Sequence, residues 1–398
     1  MNPNGSRTSL RQIPSGIWAL GFVSLLMDIS SEAIHGLLPL FMVTTLGASV
    51  FTVGLIEGLA EATALIVKIF SGVASDWLGR RKGLAVLGYG LGALAKPLFA
   101  LAPVTGMVLA ARLIDRVGKG IRGAPRDALV ADLAPPEMRG AAFGLRQALD
   151  SAGAFIGPLL AVGLMLAWAG NFRAVFWAAC VPALLAVALL LVCVREPERR
   201  PDARRTNPLR RENLKRLEGA YWRIAGIGAV FTLARFSEAF LVLRAQQGGL
   251  PLALAPLVMV AMSLVYAATA YPLGKLSDRM NPQTLLALGL AVLIAADLVL
   301  ASSAHWLTVL AGVALWGLHM GMTQGLLAAL VAGAAPDDLR ATAFGMFNLV
   351  SGIAMLIASA LAGLLWDSLG APFTFYAGAA FSALALLMVW KMRGNAKL

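Results

Sequence analysis

Three groups that titrate stand close together in one apolar run of the chain: Asp28, Glu32 and His35. Their spacings of 4 and 3 put them on one face of a helix. The next apolar run carries Glu57, Glu61 and Lys68, again on one helical face. Lys96 follows, then Arg112, Asp115, Arg116, Lys119 and Arg126, then Arg146 and Asp150. The second half of the chain holds Arg235, Glu238 and Arg244, and later His319 and Gln324. Charges inside apolar segments are costly and persist where they pair, bind a ligand or carry protons. A carboxylate taken out of water holds its proton more tightly, which suits a group that loads and unloads protons near neutral pH. An imidazole with two carboxylates also suits nickel, cobalt or zinc, so Asp28, Glu32 and His35 are the candidate metal ligands. The static alternative is a set of salt bridges, such as Glu238 with Arg235 or Glu61 with Lys68.

The elements that position these groups are membrane helices. Of 398 residues, 59% are hydrophobic and only 14% charged. The mean hydropathy is +0.77. Apolar runs long enough to cross a bilayer recur from one end to the other. They predict twelve spans, at 17–43, 49–75, 83–102, 107–130, 141–167, 173–194, 222–246, 251–275, 284–302, 307–333, 341–366 and 373–392. The first span follows a short polar segment with Arg7 and Arg11, contains Asp28 and Glu32, and reads as a membrane helix rather than a cleaved signal. Cys180 and Cys193 share one span, 13 residues apart, and offer neither a disulfide framework nor metal-ligand spacing.

The net charge of +12 does not point to nucleic acid, because its placement follows the membrane. One alternating set of loops holds Arg80, Arg81 and Lys82, then Arg139, Lys275, Arg279, Arg340 and Lys391. The opposite turns, at 44–49, 102–106, 247–250 and 303–306, contain no Lys or Arg. This bias expects both termini in the cytoplasm. The central segment 195–223 has ten basic and five acidic residues and reads as a solvated linker, with 208–218 as a possible interfacial helix.

An internal repeat organises the chain. Ala134-Pro135-Pro136-Glu137-Met138-Arg139-Gly140-Ala141-Ala142-Phe143-Gly144 matches Ala335-Pro336-Asp337-Asp338-Leu339-Arg340-Ala341-Thr342-Ala343-Phe344-Gly345 at an offset of 201. Gly72 to Asp76 matches Gly274 to Asp278 at 202, and Ser31-Glu32-Ala33 matches Ser237-Glu238-Ala239. Ordered matches at nearly one offset mean duplication of a six-helix unit. Such parallel repeats put a transport site near the bilayer midplane, between the halves. The domains expected are 1–194, a basic linker 195–221 and 222–398. No nucleotide loop, nucleophile elbow or metalloprotease motif is present, so an enzyme is not expected, and no cofactor is implied.

The loop Gly72-Val73-Ala74-Ser75-Asp76-Trp77-Leu78-Gly79-Arg80-Arg81-Lys82 resembles the signature of the major facilitator superfamily between its second and third helices. The second half keeps Gly274 with Asp278 and Arg279. The resemblance implies an all-α fold of two six-helix bundles related by a pseudo-twofold axis. It implies a conformational lock at Gly72, Asp76, Gly79, Arg80, Arg81, Asp278 and Arg279. Gly153, Gly157 and Pro158 resemble the family's antiporter motif, although Ala161 stands where a further glycine is expected. Arg112 to Asp127 resembles its arginine-and-glycine motif, with more charge than usual. The resemblance further implies secondary active transport by alternating access in a bacterial inner membrane, as a monomer taking a small molecule or ion. Proton-coupled export is the leading expectation. Uptake of an anion or metal chelate, nickel- or cobalt-like efflux, and lipid translocation on the same fold are the alternatives. The proton-coupling and cavity residues expected are Asp28, Glu32, His35, Glu57, Glu61, Arg112, Asp115, Arg146, Asp150, Arg235, Glu238 and His319, with Glu32 and Glu238 facing one another from the first and seventh helices.

Overall fold

The computed structural model describes residues 13–78, 81–135, 138–196, 217, 219–277, 280–336 and 339–395. These residues form twelve membrane-crossing helices. The first six are α1 (Ser15–His35, continued by Leu38–Leu40 and a π-helical turn Phe41–Thr45), α2 (Val50–Leu78), α3 (Arg81–Leu101), α4 (Thr105–Leu133), α5 (Arg139–Ala167) and α6 (Phe172–Cys193). The second six are α7 (Gly219–Leu233, then Ala239–Gln247), α8 (Leu257–Ser277), α9 (Pro282–Ser302), α10 (Trp306–Ala334), α11 (Arg340–Leu369) and α12 (Ala371–Asn395). Ten spans are apolar and long enough to be read as membrane helices by composition alone. The other two are α4, which carries too many charges, and α7, whose two pieces are each too short.

The interruptions in α1 and α7 correct the two continuous helices expected at 17–43 and 222–246. In α1 the break follows His35, where Pro39 has no N–H to return to the His35 carbonyl. In α7 no proline or glycine marks the break at 234–238. Local bonds replace the helical ladder there: the Ser237 N–H donates to the Ser359 hydroxyl at 3.2 Å, and the Ala239 N–H donates to Ser237 Oγ at 3.2 Å. α7 also begins at Gly219, inside the segment expected to be linker. Of the rest of that segment only Arg195, Glu196 and Leu217 are described, and Leu217 packs beside Tyr221 and Val331.

The duplication is visible in the helices themselves. α9 begins and ends 201 residues after α3, and α10 does the same relative to α4. Large apolar side chains such as Leu94, Leu166, Leu184 and Trp390 lie exposed on the outer surface, where lipid rather than water accommodates them.

The two halves meet unequally. One end of the molecule holds the start of α1, the end of α6 and the start of α7, and is called the linker end here; the other is the far end. At the far end the halves share a single apolar core, with Leu37, Phe41 and Phe176 from the first and Phe240, Trp316 and Phe375 from the second. Towards the linker end each half keeps its own core, around Tyr89 in the first and around Leu290 and Tyr221 in the second. α2 packs along α11 and α5 against α8. Asp367 at the far end of α11 accepts the N–H groups of Val50 and Phe51 at 3.2 and 2.8 Å, capping α2 from the opposite half.

Candidate functional site

A cavity of about 380 Å³ lies between the halves. α1 contributes Glu32 and His35, α2 contributes Glu57 and Glu61, and α4 contributes Arg112, Arg116 and Lys119. The second half answers with Arg235, Phe236 and Glu238 from the interrupted stretch of α7, with Trp316 and Met320 from α10, and with Met259 and Met355. Glu32 sits one turn before the break in α1, and Glu238 sits at the break in α7. The two repeat-equivalent carboxylates therefore line one cavity, each beside backbone freed from its helix.

The first-half charges are knit together. Arg112 forms a two-pronged pair with Glu57, its Nε donating at 3.1 Å and a second nitrogen bonding the other oxygen. Arg116 pairs with Glu61 at 3.2 Å. His35 lies between these guanidiniums and bonds Arg112 through Nε2. A guanidinium only donates, so His35 Nε2 accepts from Arg112, and Arg116 lies 3.3 Å from the other ring nitrogen, Nδ1. That nitrogen faces Glu32 at 3.7 Å. Behind them the fully buried Lys96 donates to Asp115 at 2.8 Å and to the Ser31 hydroxyl at 2.9 Å. Asp115 also lies 3.7 Å from His35 Nε2. Among the described residues the second half has no such network: Arg235 and Glu238 enter no ion pair, as is also true of Lys119 on α4, and the Arg235 guanidinium lies 5.7 Å from the Phe231 ring.

A family model described as the Major Facilitator Superfamily matches residues 20–246 and 239–397. The chain belongs to the major facilitator superfamily. It is a multi-pass membrane transporter and not an enzyme. It is 32% identical to an uncharacterised MFS-type transporter of Methanocaldococcus jannaschii, over 95% of both chains. It is 33% identical to the multidrug resistance protein MdtH of Photorhabdus laumondii over 38% of this chain and 37% of that one. The fold is similar to the crystal structure of the nucleoside transporter NupG, with a TM-score of 0.79 at 12% identity, covering 94% of this chain and 99% of that one.

Several residues expected in the cavity of this transporter lie elsewhere. Asp28 faces Arg122 at 3.9 Å, towards the linker end. Arg146 and Asp150 form a neighbouring cluster, paired at 2.9 Å and joined by Arg126 and Asp127. His319 is fully buried in α10, with Nδ1 2.8 Å from the Gly289 carbonyl, away from the cavity. Glu61 pairs across to α4 and not with Lys68 along its own helix, and Glu238 makes no bridge to Arg235. The three candidate metal ligands are not gathered: Asp28 turns to Arg122, and the Nε2 lone pair of His35 is taken by Arg112. Among the described residues no group of three or more His, Cys, Asp or Glu is arranged to hold a metal. Arg122 is a further buried charge, outside the cavity residues expected. Its guanidinium also covers the Tyr89 ring at 4.8 Å. The signal was its place three residues after Lys119 on a helix already dense in base.

Of the expected lock, Gly79, Arg80, Asp278 and Arg279 lie outside the described residues, as does the side chain of Asp76; Gly72 lies within α2. Arg81 pairs with Asp132, and its N–H donates at 2.8 Å to Glu196 just past α6, so neither contact reaches the second half. The motif in α5 has a direct structural use. A Cβ on Gly153 would stand 3.0 Å from Asp28 Cβ, and one on Gly157 would stand 3.0 Å from Glu32 Cβ. These glycines set α1 against α5 and thereby fix where both acids sit. Gly157→Val is expected to push α1 away, destabilise by about 1–3 kcal/mol and lower transport further than Gly163→Val, whose Cβ meets open space. Thermal unfolding and transport assays of the two variants check this.

Proposed function

We propose that this protein is a proton-coupled exporter of a small solute in the inner membrane, with both termini cytoplasmic. The observation that carries the reading is the pair Glu32 and Glu238. They occupy equivalent positions of the repeat, line one cavity and stand at helix interruptions, and neither has a cationic Arg or Lys partner in an ion pair. Both are free to exchange a proton against cargo. The basic loops at the linker end support a cytoplasmic linker. With the halves packed together at the far end, the conformation is then inward-facing. The glycines of α5 and the partial similarity to a multidrug resistance protein support export. Phe236, Trp316 and the methionines offer an apolar, adaptable wall, and Glu32 and Glu238, with no Arg or Lys partner, offer a place for positive charge. An amphiphilic cation of drug size matches both. Uptake of an anionic solute is the second reading, because Lys119 and Arg235 also line the cavity unpaired.

The test is transport by Glu32→Gln in vesicles across a range of external pH. Loss of the pH dependence with cargo binding retained is the result expected. Full pH-dependent transport by this variant removes Glu32 from the coupling.

A further inference from the structure

The duplication also relates residues inside each half. At the offset shared by α3 with α9 and α4 with α10, Lys96 corresponds to Asp297 and Asp115 to Trp316. Packing keeps the same register: Gly88 lies against Gly118 and Arg122, and Gly289 lies against their counterparts His319 and Thr323. Lys96 and Asp297 are both fully buried. In the first half the site is a closed ion pair. In the second half the base is replaced by an acid and the acid by an indole, so no compensating charge remains. Among the described residues, neither oxygen of Asp297 and not the Nε1 of Trp316 has a hydrogen-bond partner.

The surroundings of Asp297 are aromatic. A Cβ on Gly378 of α12 would stand 2.7 Å from Asp297 Oδ2 and 3.0 Å from the Phe236 ring, so carboxyl and ring share that glycine's surface. The Phe236 ring also packs on Trp316 at 5.4 Å and on Phe375 at 5.6 Å, and it lines the cavity. Phe236 therefore stands between Asp297 and water, on the interrupted stretch of α7. The ionisable groups on the packed elements are engaged or face elsewhere. His319 bonds the Gly289 carbonyl, and Arg244 donates to carbonyls of Leu300, Ala301 and Ser303 at the far end of α9. Arg235 and Glu238 lie in the cavity, and Tyr376 is exposed on the outer surface.

An ionised carboxylate with no donor and no cation is among the costliest groups to bury. We infer that Asp297 is a second proton-binding site of this transporter, in its second half and separate from the cavity carboxylates, and that it holds its proton while Phe236 covers it. Release of that proton requires water to reach the carboxylate, which means displacing Phe236 and the unwound stretch that carries it. Protonation then favours the conformation with the far end closed, and by linkage that conformation favours the proton. The inference does not depend on Glu32 and Glu238 carrying protons.

The test is infrared spectroscopy of the full chain in lipid nanodiscs at neutral pH, reading the carbonyl stretch of a protonated carboxylic acid by its shift in heavy water. The wild type is expected to show this band, Asp297→Asn to weaken it, and the double variant Glu32→Gln/Glu238→Gln to keep a band that disappears when Asp297→Asn is added. Should Asp297→Asn not fold, Asp297→Glu with side-chain-labelled aspartate serves: the wild-type band moves with the label and the variant's band does not. Absence of an acid band from the wild type, or a band untouched by Asp297→Asn or by the label, overturns the proposal. So does a band that disappears when sodium is added, because the site is then a sodium site.

Discussion

Arg112→Met should destabilise the protein by about 3–5 kcal/mol, because it strands the charge of Glu57 in a buried site. Arg112 and Glu57 are each nearly inaccessible and meet through two parallel bonds. Removing one partner leaves the other desolvated and uncompensated. Removing both need not. Arg112→Met combined with Glu57→Leu should recover most of the loss, since apolar side chains of similar volume often replace a buried pair at little cost. Chemical unfolding in mild detergent measures the set. A single-variant loss below about 1 kcal/mol would place the pair in the class of exposed, water-screened bridges.

Glu238→Gln carries the larger functional effect. The glutamine keeps the size of the side chain and its place in the cavity but cannot release a proton. Cargo should still bind and exchange between the two sides, because α1, α2 and α4 are untouched. Driven accumulation should disappear. With one proton exchanged for a monovalent cation no net charge moves, so the pH difference is the drive: one unit supplies about 1.36 kcal/mol and sustains a cargo ratio of about tenfold. The variant should level the ratio to about 1, while counterflow exchange persists. Accumulation unchanged in Glu238→Gln would mean that the proton is carried elsewhere.

Much of the architecture was legible because membranes impose long apolar runs and duplication leaves matched motifs. That Glu32 and Glu238 hold equivalent positions followed from the repeat, and that they face one another was implied by the family resemblance. The partners of the other charges did not. Spacing along a helix shows which residues share a face, so the only static partner it offers Glu61 is Lys68 on its own helix. Its partner Arg116 lies on α4, and only the packing of the bundle brings the two together. That packing depends on close approach at glycines such as Gly120, which lies against Val67 and the Ala64 carbonyl of α2. The break in α7 was invisible for a different reason. It is made by the Ser237 and Ser359 side chains competing with the backbone ladder, and Ser359 is distant in sequence. The break in α1 had a visible signal in Pro39, which the hydrophobic run concealed. His319 is expected in the cavity, yet it serves the contact between α9 and α10.

The most direct measurement is proton movement in sealed vesicles containing the purified protein, on addition of lipophilic cations, divalent metals, and anionic chelates or organic acids in turn. A proton flux that depends on a lipophilic cation, runs opposite to it and is absent from Glu238→Gln is the result expected. No cargo-dependent proton flux from folded protein, across all the compounds, would contradict proton-coupled export and the assignment of Glu32 and Glu238 as its carriers.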